Sequence, residues 1–450
     1  MIERLIIRNY KGIKEADICF RSDSNVIVGN NGVGKSTIIE ALTLALGYGL
    51  NQLEIVPSIF NIDSIKQYEL DKVLPEIIIE VYFEGKNTEF SGKNNLLHEN
   101  SNGIQLKMCF DEDSFADLYE KEKDRIKQIP CEYYKIERNW FSDKKVIQRL
   151  IPYSILIVDS SSSYFNSSSN NYVSSLVRKY LGDEDSLKIK TGLRQLKDDF
   201  ERNEKLKDVN TAIEKKNKDL KVSIDVTSNI ITRNIISPLF KDIPVEQIGA
   251  GDLCVLKTML SLERNGDINK KKVVIIEEPE SHLSHTKMYE LLNKIKNTID
   301  NDTQLIITTH NNFIANKLNL KNLLLISNNN YKVSCKSIEE NSNEAAFFTK
   351  ISNYPTLRLI LCKSAILVEG PTDEMIVTYY YHKKYSCHPF DDGIELISVE
   401  GVGFKAYANL AKMFGKKIAI LTDNDKEKRD DLIRQRGLEN MPDHIQIFTD

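Results

Sequence analysis

Two stretches of this chain carry residues whose types and spacing suit phosphate chemistry. Residues 29–37 read GNNGVGKST, which places Gly29, Asn30, Asn31, Gly32, Gly34, Lys35, Ser36 and Thr37 in a GxxxxGK[ST] loop. Glycines there let backbone N–H groups approach phosphates, and the positive end of a following helix adds to the attraction. Lys35 is expected to reach the β- and γ-phosphates of ATP, and Ser36 to ligate Mg2+. Residues 365–374 read AILVEGPTDE, and residues 417–425 read KIAILTDND. Glu369, Asp373, Asp423 and Asp425 therefore follow apolar runs. Clustered acidic oxygens select hard cations, here Mg2+ with Mn2+ or Ca2+ as alternatives. Two such ions can clamp the attacking and leaving oxygens of a phosphodiester. Together the two features predict a chain that uses ATP to control metal-dependent chemistry on another molecule, with nucleic acid the best candidate.

A second set of acids belongs with the phosphate loop. Residues 273–280 read VVIIEEPE, which puts Glu277 and Glu278 at the carboxyl end of a buried strand, where ligands bind in open α/β sheets. Glu277 is expected to hold Mg2+ through water, and Glu278 to orient or deprotonate the attacking water. His310 closes the run QLIITTH and is placed to contact the γ-phosphate. Between Gln247 and Leu253 the sequence QIGAGDL precedes a helix. Its Gly249 and Gly251 can offer N–H groups to an anion.

The elements that must position these residues alternate. Apolar Leu5–Ile7 and Ile18 flank a turn at Lys11-Gly12, Asn25–Val28 is a buried strand into the glycine loop, and 36–42 continue as a helix. Residues 75–83 and 104–110 read as further strands. Residues 159–175 are serine-rich and read as a loop. Leu193, Leu196, Phe200, Leu206, Val209, Ile213 and Leu220 recur at helical spacing. That face packs on its own domain or forms a dimerisation arm. Further on, 323–327 is a strand, and 365–423 reads as two β-α-β units in succession, implying a small parallel sheet.

At 450 residues the chain is expected to hold two to three domains. A net charge of −4 excludes a uniformly basic nucleic-acid coat but leaves room for a local basic groove. Seven cysteines without CxxC spacing argue against a zinc site and a disulfide framework. The opening residues lack a signal-peptide core, and no apolar run approaches the ~20 residues of a membrane span. A cytoplasmic protein without membrane contact is expected.

The order of phosphate loop, insertion, glycine-rich segment, acid strand and His strand resembles the ABC-type ATPases of the SMC and RecF group. The N-terminal IERLIIRNYKGIKEADICF is similar too. In that group the glycine-rich segment completes the site of a second subunit, so the resemblance implies a homodimer or higher homo-oligomer. The usual Ser and Gln of that segment are replaced here, since GAGDL has Gly249 and Leu253. The strand–EGPTDE–helix and strand–DND array resembles the Toprim fold. An ABC-type head followed by Toprim is the architecture of the OLD (overcoming lysogenization defect) nucleases, which include the nuclease subunit of Gabija anti-phage systems. The resemblance implies an α/β fold with an ABC/SMC-like head at 1–140, a helical insertion at 141–240, the rest of the head at 241–350 and a Toprim domain at 356–450. It makes Glu369 a metal ligand or general acid/base, with Asp423 beside it and Asp373, Asp423 and Asp425 as metal ligands. Glu400 and Lys405 are further candidates for metal or phosphate contact. OLD nucleases carry another cluster beyond the DxD, and here the sequence stops at IQIFTD, with Asp450 as its expected first residue.

The expected function is an ATP-regulated, metal-dependent DNA endonuclease in anti-phage defence or DNA processing, with a helicase as a candidate partner. The alternative is an ATP-binding sensor or scaffold whose Toprim domain binds DNA or a partner without cleaving. A primase or topoisomerase lacks the zinc spacing or the nucleophile domain it needs.

Overall fold

The computed structural model describes residues 1–50, 53–85, 89–123, 125–159, 183–215, 239–262, 270–298, 302–337, 356–399, 403–423, 428–439 and 441–449. Two compact units emerge: Met1–Ile155 with Asn269–Glu278 and Ile299–Asp450, and Leu156–Ile268 with Pro279–Thr298. The strands are β1 Ile2–Tyr10, β2 Ile13–Cys19, β3 Ser24–Val28, β4 Ile77–Phe83, β5 Ser91–Gly92, β6 Ser101–Phe110, β7 Tyr134–Trp140, β8 Tyr153–Asp159, β9 Leu239–Phe240, β10 Ile243–Pro244, β11 Lys271–Glu277, β12 Thr303–Thr308, β13 Leu323–Asn329, β14 Lys332–Ser337, β15 Ser364–Val368, β16 Ile394–Ser398, β17 Lys417–Thr422 and β18 Ile445–Thr449. The helices are α1 Lys35–Ala45, α2 Ile62–Asp71, α3 Glu112–Glu122, α4 Asp183–Arg202, α5 Glu204–Glu214, α6 Ala250–Leu262, α7 His285–Thr298, α8 Asn312–Lys317, α9 Thr356–Leu361, α10 Pro371–Tyr385, α11 Phe404–Phe414 and α12 Arg429–Gln435.

In the first unit the head sheet runs β5-β6-β4-β1-β2-β14-β13-β3-β12-β11-β8, with β7 on β6. Its centre is parallel: β3 pairs with β12 and β13, and β12 with β11. These strands are apolar without alternation because parallel strands are covered on both faces. Val26, Ile27, Val28, Ile275, Ile276, Ile306 and Ile307 are all fully buried, and each such side chain contributes roughly 1.5–3 kcal/mol. β1, β2, β4, β6 and β7 form the antiparallel half, where burial alternates only in stretches such as Ile104–Met108 of β6. Tyr153–Asp159 form strand β8 inside the segment expected as a helical insertion.

β14 joins the two halves. It pairs antiparallel with β13 and parallel with β2. Its hairpin turns at Asn330 (φ 51) and Tyr331 (φ 62), both left-handed, the backbone a two-residue type I′ turn demands. The same unit holds a four-stranded parallel sheet of order β16-β15-β17-β18. This is the small parallel sheet expected of a Toprim domain. α11 covers it with buried Phe404, Tyr407, Leu410 and Phe414.

In the second unit α4 and α5 meet at Asn203, whose side chain caps α5 by accepting from Lys205 N–H at 3.0 Å. Leu206 is buried there, while Leu196, Phe200 and Val209 are exposed. A two-stranded β9–β10 ladder precedes α6, and Val245 and Leu253 form a small core with Phe240, Ile248 and Leu256. Most of the serine-rich stretch at 159–175 lies outside the described residues, as do residues 216–220.

Candidate functional site

The head site is assembled by strand register. Thr308 on β12 stands opposite both Ile27 on β3 and Glu277 on β11. The carboxyl ends of three parallel strands therefore line up, and the phosphate loop leaves from one of them. Gly32 (φ 76) and Gly34 (φ 105) both adopt left-handed backbone, which side chains with a Cβ resist. Gly34 is the N-cap of α1, so Lys35, Ser36 and Thr37 form the first turn. Lys35 is buried, and its Nζ donates to the carbonyl oxygens of Gly29 (2.9 Å) and Asn30 (3.1 Å). Asn31 and Ser36 are exposed at the rim. A positively curved glycine loop, a buried ammonium and a free-standing hydroxyl on the first helical turn fit a nucleoside triphosphate with Mg2+.

Opposite the loop, Glu278 holds φ 39, a left-handed conformation uncommon for a residue other than glycine. Its N–H is fixed by the carbonyl (3.1 Å) and hydroxyl (3.2 Å) of Thr308. Its Oε1 lies 3.0 Å from His310 Nε2. The last residues of neighbouring strands thus bring Glu278 and His310 together, while Glu277 ends β11. Strain of this kind concentrates at functional sites. Gly249 and Gly251 flank the start of α6 in the second unit, where Leu253 is core and Asp252 pairs with Lys287 at 2.6 Å.

The C-terminal site follows the same logic. Leu367 on β15 is opposite Ile420 on β17, so the residues just beyond the two strands, Glu369 and Asp423, are brought to one edge. Glu369 Oε1 accepts from the Thr422 hydroxyl, from Asp423 N–H at 3.3 Å and from Arg436 Nη2 at 2.7 Å. Arg436 also lies over the Phe404 ring, 5.3 Å from its centroid. Burial works against the Glu369 charge, but the Thr422 hydroxyl and the Arg436 guanidinium outweigh it and hold the carboxyl below its usual range. Asp423 is exposed.

Asp373 does something different. Its Oδ2 accepts the Gly370 N–H at 2.9 Å, which caps α10. Asp425, Glu400 and Asp450 lie outside the described residues. Among the described residues no group of three or more His, Cys, Asp or Glu side chains is arranged to hold a metal ion. In kind, the carboxylates of Glu369 and Asp423, residues joined through the Asp423 N–H, suit a hard divalent cation. Sequence reading missed Arg436, Thr422 and Phe404. Thr422 had a local signal, standing directly before the DND run, whereas Arg436 arrives only through the fold.

Arg436→Gln is expected to raise the Glu369 pKa. A depressed carboxyl stabilises the fold above its unfolded pKa, and that contribution is lost as pH falls through the folded value. Removing Arg436 therefore shrinks the contribution and moves its loss to higher pH. Urea midpoints measured against pH check this, and superimposable profiles for parent and variant would refute it.

Comparison with known proteins agrees with both halves. A family model described as "AAA domain, putative AbiEii toxin, Type IV TA system" matches residues 24–316. Another, described as "Overcoming lysogenization defect protein-like, TOPRIM domain", matches residues 360–425. Endonuclease GajA of Bacillus cereus (strain HuB5-5) is 24% identical over 464 aligned residues, covering 90% of this chain and 63% of that protein. The chain thus spans less than two thirds of that relative. A DNA double-strand break repair Rad50 ATPase of Methanopyrus kandleri is 52% identical over 46 residues, which cover 10% of this chain and 5% of Rad50. An SMC head bound to the C-terminal winged-helix domain of ScpA aligns with 75% of this chain and 98% of its own at 15% identity and a TM-score of 0.40. An AAA domain and a Toprim domain imply use of a nucleotide and a divalent cation. Among the described residues no helix is long and apolar enough to cross a membrane. The chain belongs to the AAA-domain family matched over residues 24–316 and carries an OLD-like Toprim domain at residues 360–425.

Proposed function

We propose that the chain is a nuclease whose Toprim lobe cuts DNA phosphodiesters and whose AAA head controls that cutting through ATP. The observation that supports it most is the hydrogen bond from Asp423 N–H to Glu369 Oε1, which draws two strand-terminal acids to one edge of a parallel sheet. The endonuclease name of the Bacillus cereus relative supports the reaction class.

In the head, Lys35 would meet the phosphates of a bound triphosphate, Ser36 and Glu277 would hold its Mg2+, Glu277 through water, and Glu278, held by His310, would orient a water. Asn30, Asn31, Gly29, Gly32, Gly34 and Thr37 shape the loop. Gly249 and Gly251 serve the site of a second copy, so the working form is a homodimer or larger. In the Toprim lobe, Glu369 and Asp423 would hold the cation with Asp425, while Asp373 caps α10 beside them. A divalent cation bound there supplies positive charge to the phosphodiester. Arg436 keeps Glu369 ionised and oriented. Defence against phage and a helicase partner are parts of the same proposal.

A second reading, a sensor or scaffold that binds DNA without cutting, is favoured by the engagement of Asp373 as a helix cap. Supercoiled plasmid incubated with the full chain and Mg2+ or Mn2+, with and without ATP, separates the two. Nicking that responds to ATP supports the nuclease. Intact plasmid under every metal condition, with DNA still bound, supports the scaffold.

A further inference from the structure

Helix α9 is six residues long, yet both of its ends and its outer side are tied down. At its start, Leu357 N–H donates to Asn312 Oδ1 at 2.7 Å, and the Thr356 hydroxyl donates to Asn316 Oδ1 at 2.7 Å. Thr356 and Asn316 are both fully buried. Asn312 and Asn316 lie on α8, which begins two residues after His310. The intervening Asn311 is locked as its N-cap, with Oδ1 accepting from Phe313 N–H at 2.8 Å and its own N–H donating to Thr309 Oγ1 at 3.0 Å. At its far end, the Leu361 carbonyl accepts from Asn30 Nδ2 of the phosphate loop at 3.3 Å. α9 therefore touches the head site twice, once through the phosphate loop and once through the element that carries His310.

The other attachments of α9 belong to the Toprim sheet. Arg358 Nε and Nη2 donate to Glu395 Oε2 at 2.9 and 2.6 Å, and Nη2 reaches the Leu396 carbonyl on β16 at 3.0 Å. Lys416 Nζ, next to β17, donates to the Cys362 carbonyl at 2.8 Å. Leu357, Leu359 and Ile360 are buried. Only Cys362 and Lys363 separate α9 from β15, and Glu369 follows the last residue of β15. A five-residue strand is about 17 Å long and held by hydrogen bonds on both sides, so displacement of its start is carried to its end.

The geometry points to α9 as the coupling element between nucleotide and the Glu369–Asp423 edge. The pivot is Asn30. Its carbonyl accepts from Lys35 Nζ at 3.1 Å, and its side chain donates to Leu361 at 3.3 Å. A triphosphate that recruits Lys35 draws the ammonium away from the Asn30 carbonyl. The loop then resettles with a different hold on Leu361, and α9 passes the change to β15. The two sites are distinct and each biases the same short helix, which is what a coupling free energy requires. The inference rests on the proposed function for its consequence, regulation of cutting, but not for its physical readout.

That readout is hydrogen exchange on the full chain with and without ATPγS and Mg2+. Nucleotide is expected to change protection across residues 357–369 in the parent. Asn312→Ala with Thr356→Val, at positions outside the phosphate loop and the Glu369–Asp423 edge, is expected to leave ATPγS affinity within about 2-fold while cutting the protection change at least about 3-fold. Nicking without ATP should stay within about 2-fold of the parent, and the ratio of nicking with and without ATP should move toward one. Asn30→Ala, at an exposed position, serves as the second variant should the buried pair prove necessary for folding. Measured at saturating nucleotide, it should show the same loss. No nucleotide-dependent change at 357–369 in the parent, or an undiminished change in a folded variant, overturns the coupling role. A coupling-dependent exchange change in a chain that never nicks DNA leaves the role standing and removes the nuclease reading.

Discussion

Glu369→Ala is expected to reduce metal-dependent nicking of supercoiled plasmid at least about 100-fold in a chain that still melts cooperatively, though at a lower temperature because Arg436 loses its partner. Glu369 is the acid on which Thr422, Asp423 and Arg436 converge. Removing it takes away a proposed ligand and leaves Arg436 without its anionic partner. Loss of outer supporting groups alone costs metal sites about 10–100-fold, so loss of a direct ligand sets the lower bound. Glu369→Gln keeps the shape, loses the charge and should fail equally. Asp423→Ala, at an exposed position, should lose activity without loss of fold. Nicking by Glu369→Ala at the parental rate would remove the acid from the mechanism.

Lys35→Ala is the second large effect. It is expected to weaken ATP binding about 100-fold or more, since a charge-assisted hydrogen bond is worth roughly 1.5–3 kcal/mol and a buried ammonium makes more than one to a triphosphate. Titration of a fluorescent ATP analogue reads this directly. Because Lys35 is buried against the loop it stabilises, the variant should be checked by thermal melting, and Lys35→Met offers a similar volume without charge. Unchanged nucleotide affinity in a folded variant would refute the assignment of the loop.

Much of this was legible in the sequence because strand ends announce themselves. A run such as VVIIE or IAILTD has no alternation, so it reads as a covered parallel strand, and an acid directly after it falls at the ligand edge of the sheet. α11 supplies a helix of the β-α-β units expected over 365–423, and its apolar residues share one buried face. Other parts left no such trace. β14, KVSCKS, has one buried position and polar neighbours, so only its pairing with β13 and β2 makes it a strand. Its turn uses Asn330 and Tyr331 rather than glycine. Arg436 is distant in sequence from Glu369, and nothing local marks it. α9 is short, and its importance lies in hydrogen bonds to side chains from two other segments.

The same contrast explains Asp373. Its spacing after Glu369 suits a metal ligand and a helix cap alike, since an acid at the third helical position can reach back to the N-cap N–H. The structure has it accepting that N–H. Asp373→Asn should therefore weaken the start of α10 as well as alter any metal affinity.

The central claim is that Glu369 and Asp423 share a divalent cation, and direct binding of Mn2+ to the full chain, followed by electron paramagnetic resonance without DNA or nucleotide, tests it most directly. The account predicts saturable Mn2+ binding in a Lys35→Ala background that disappears in Glu369→Ala and in Asp423→Ala. Equal Mn2+ uptake by the parent and by both carboxylate variants would contradict it.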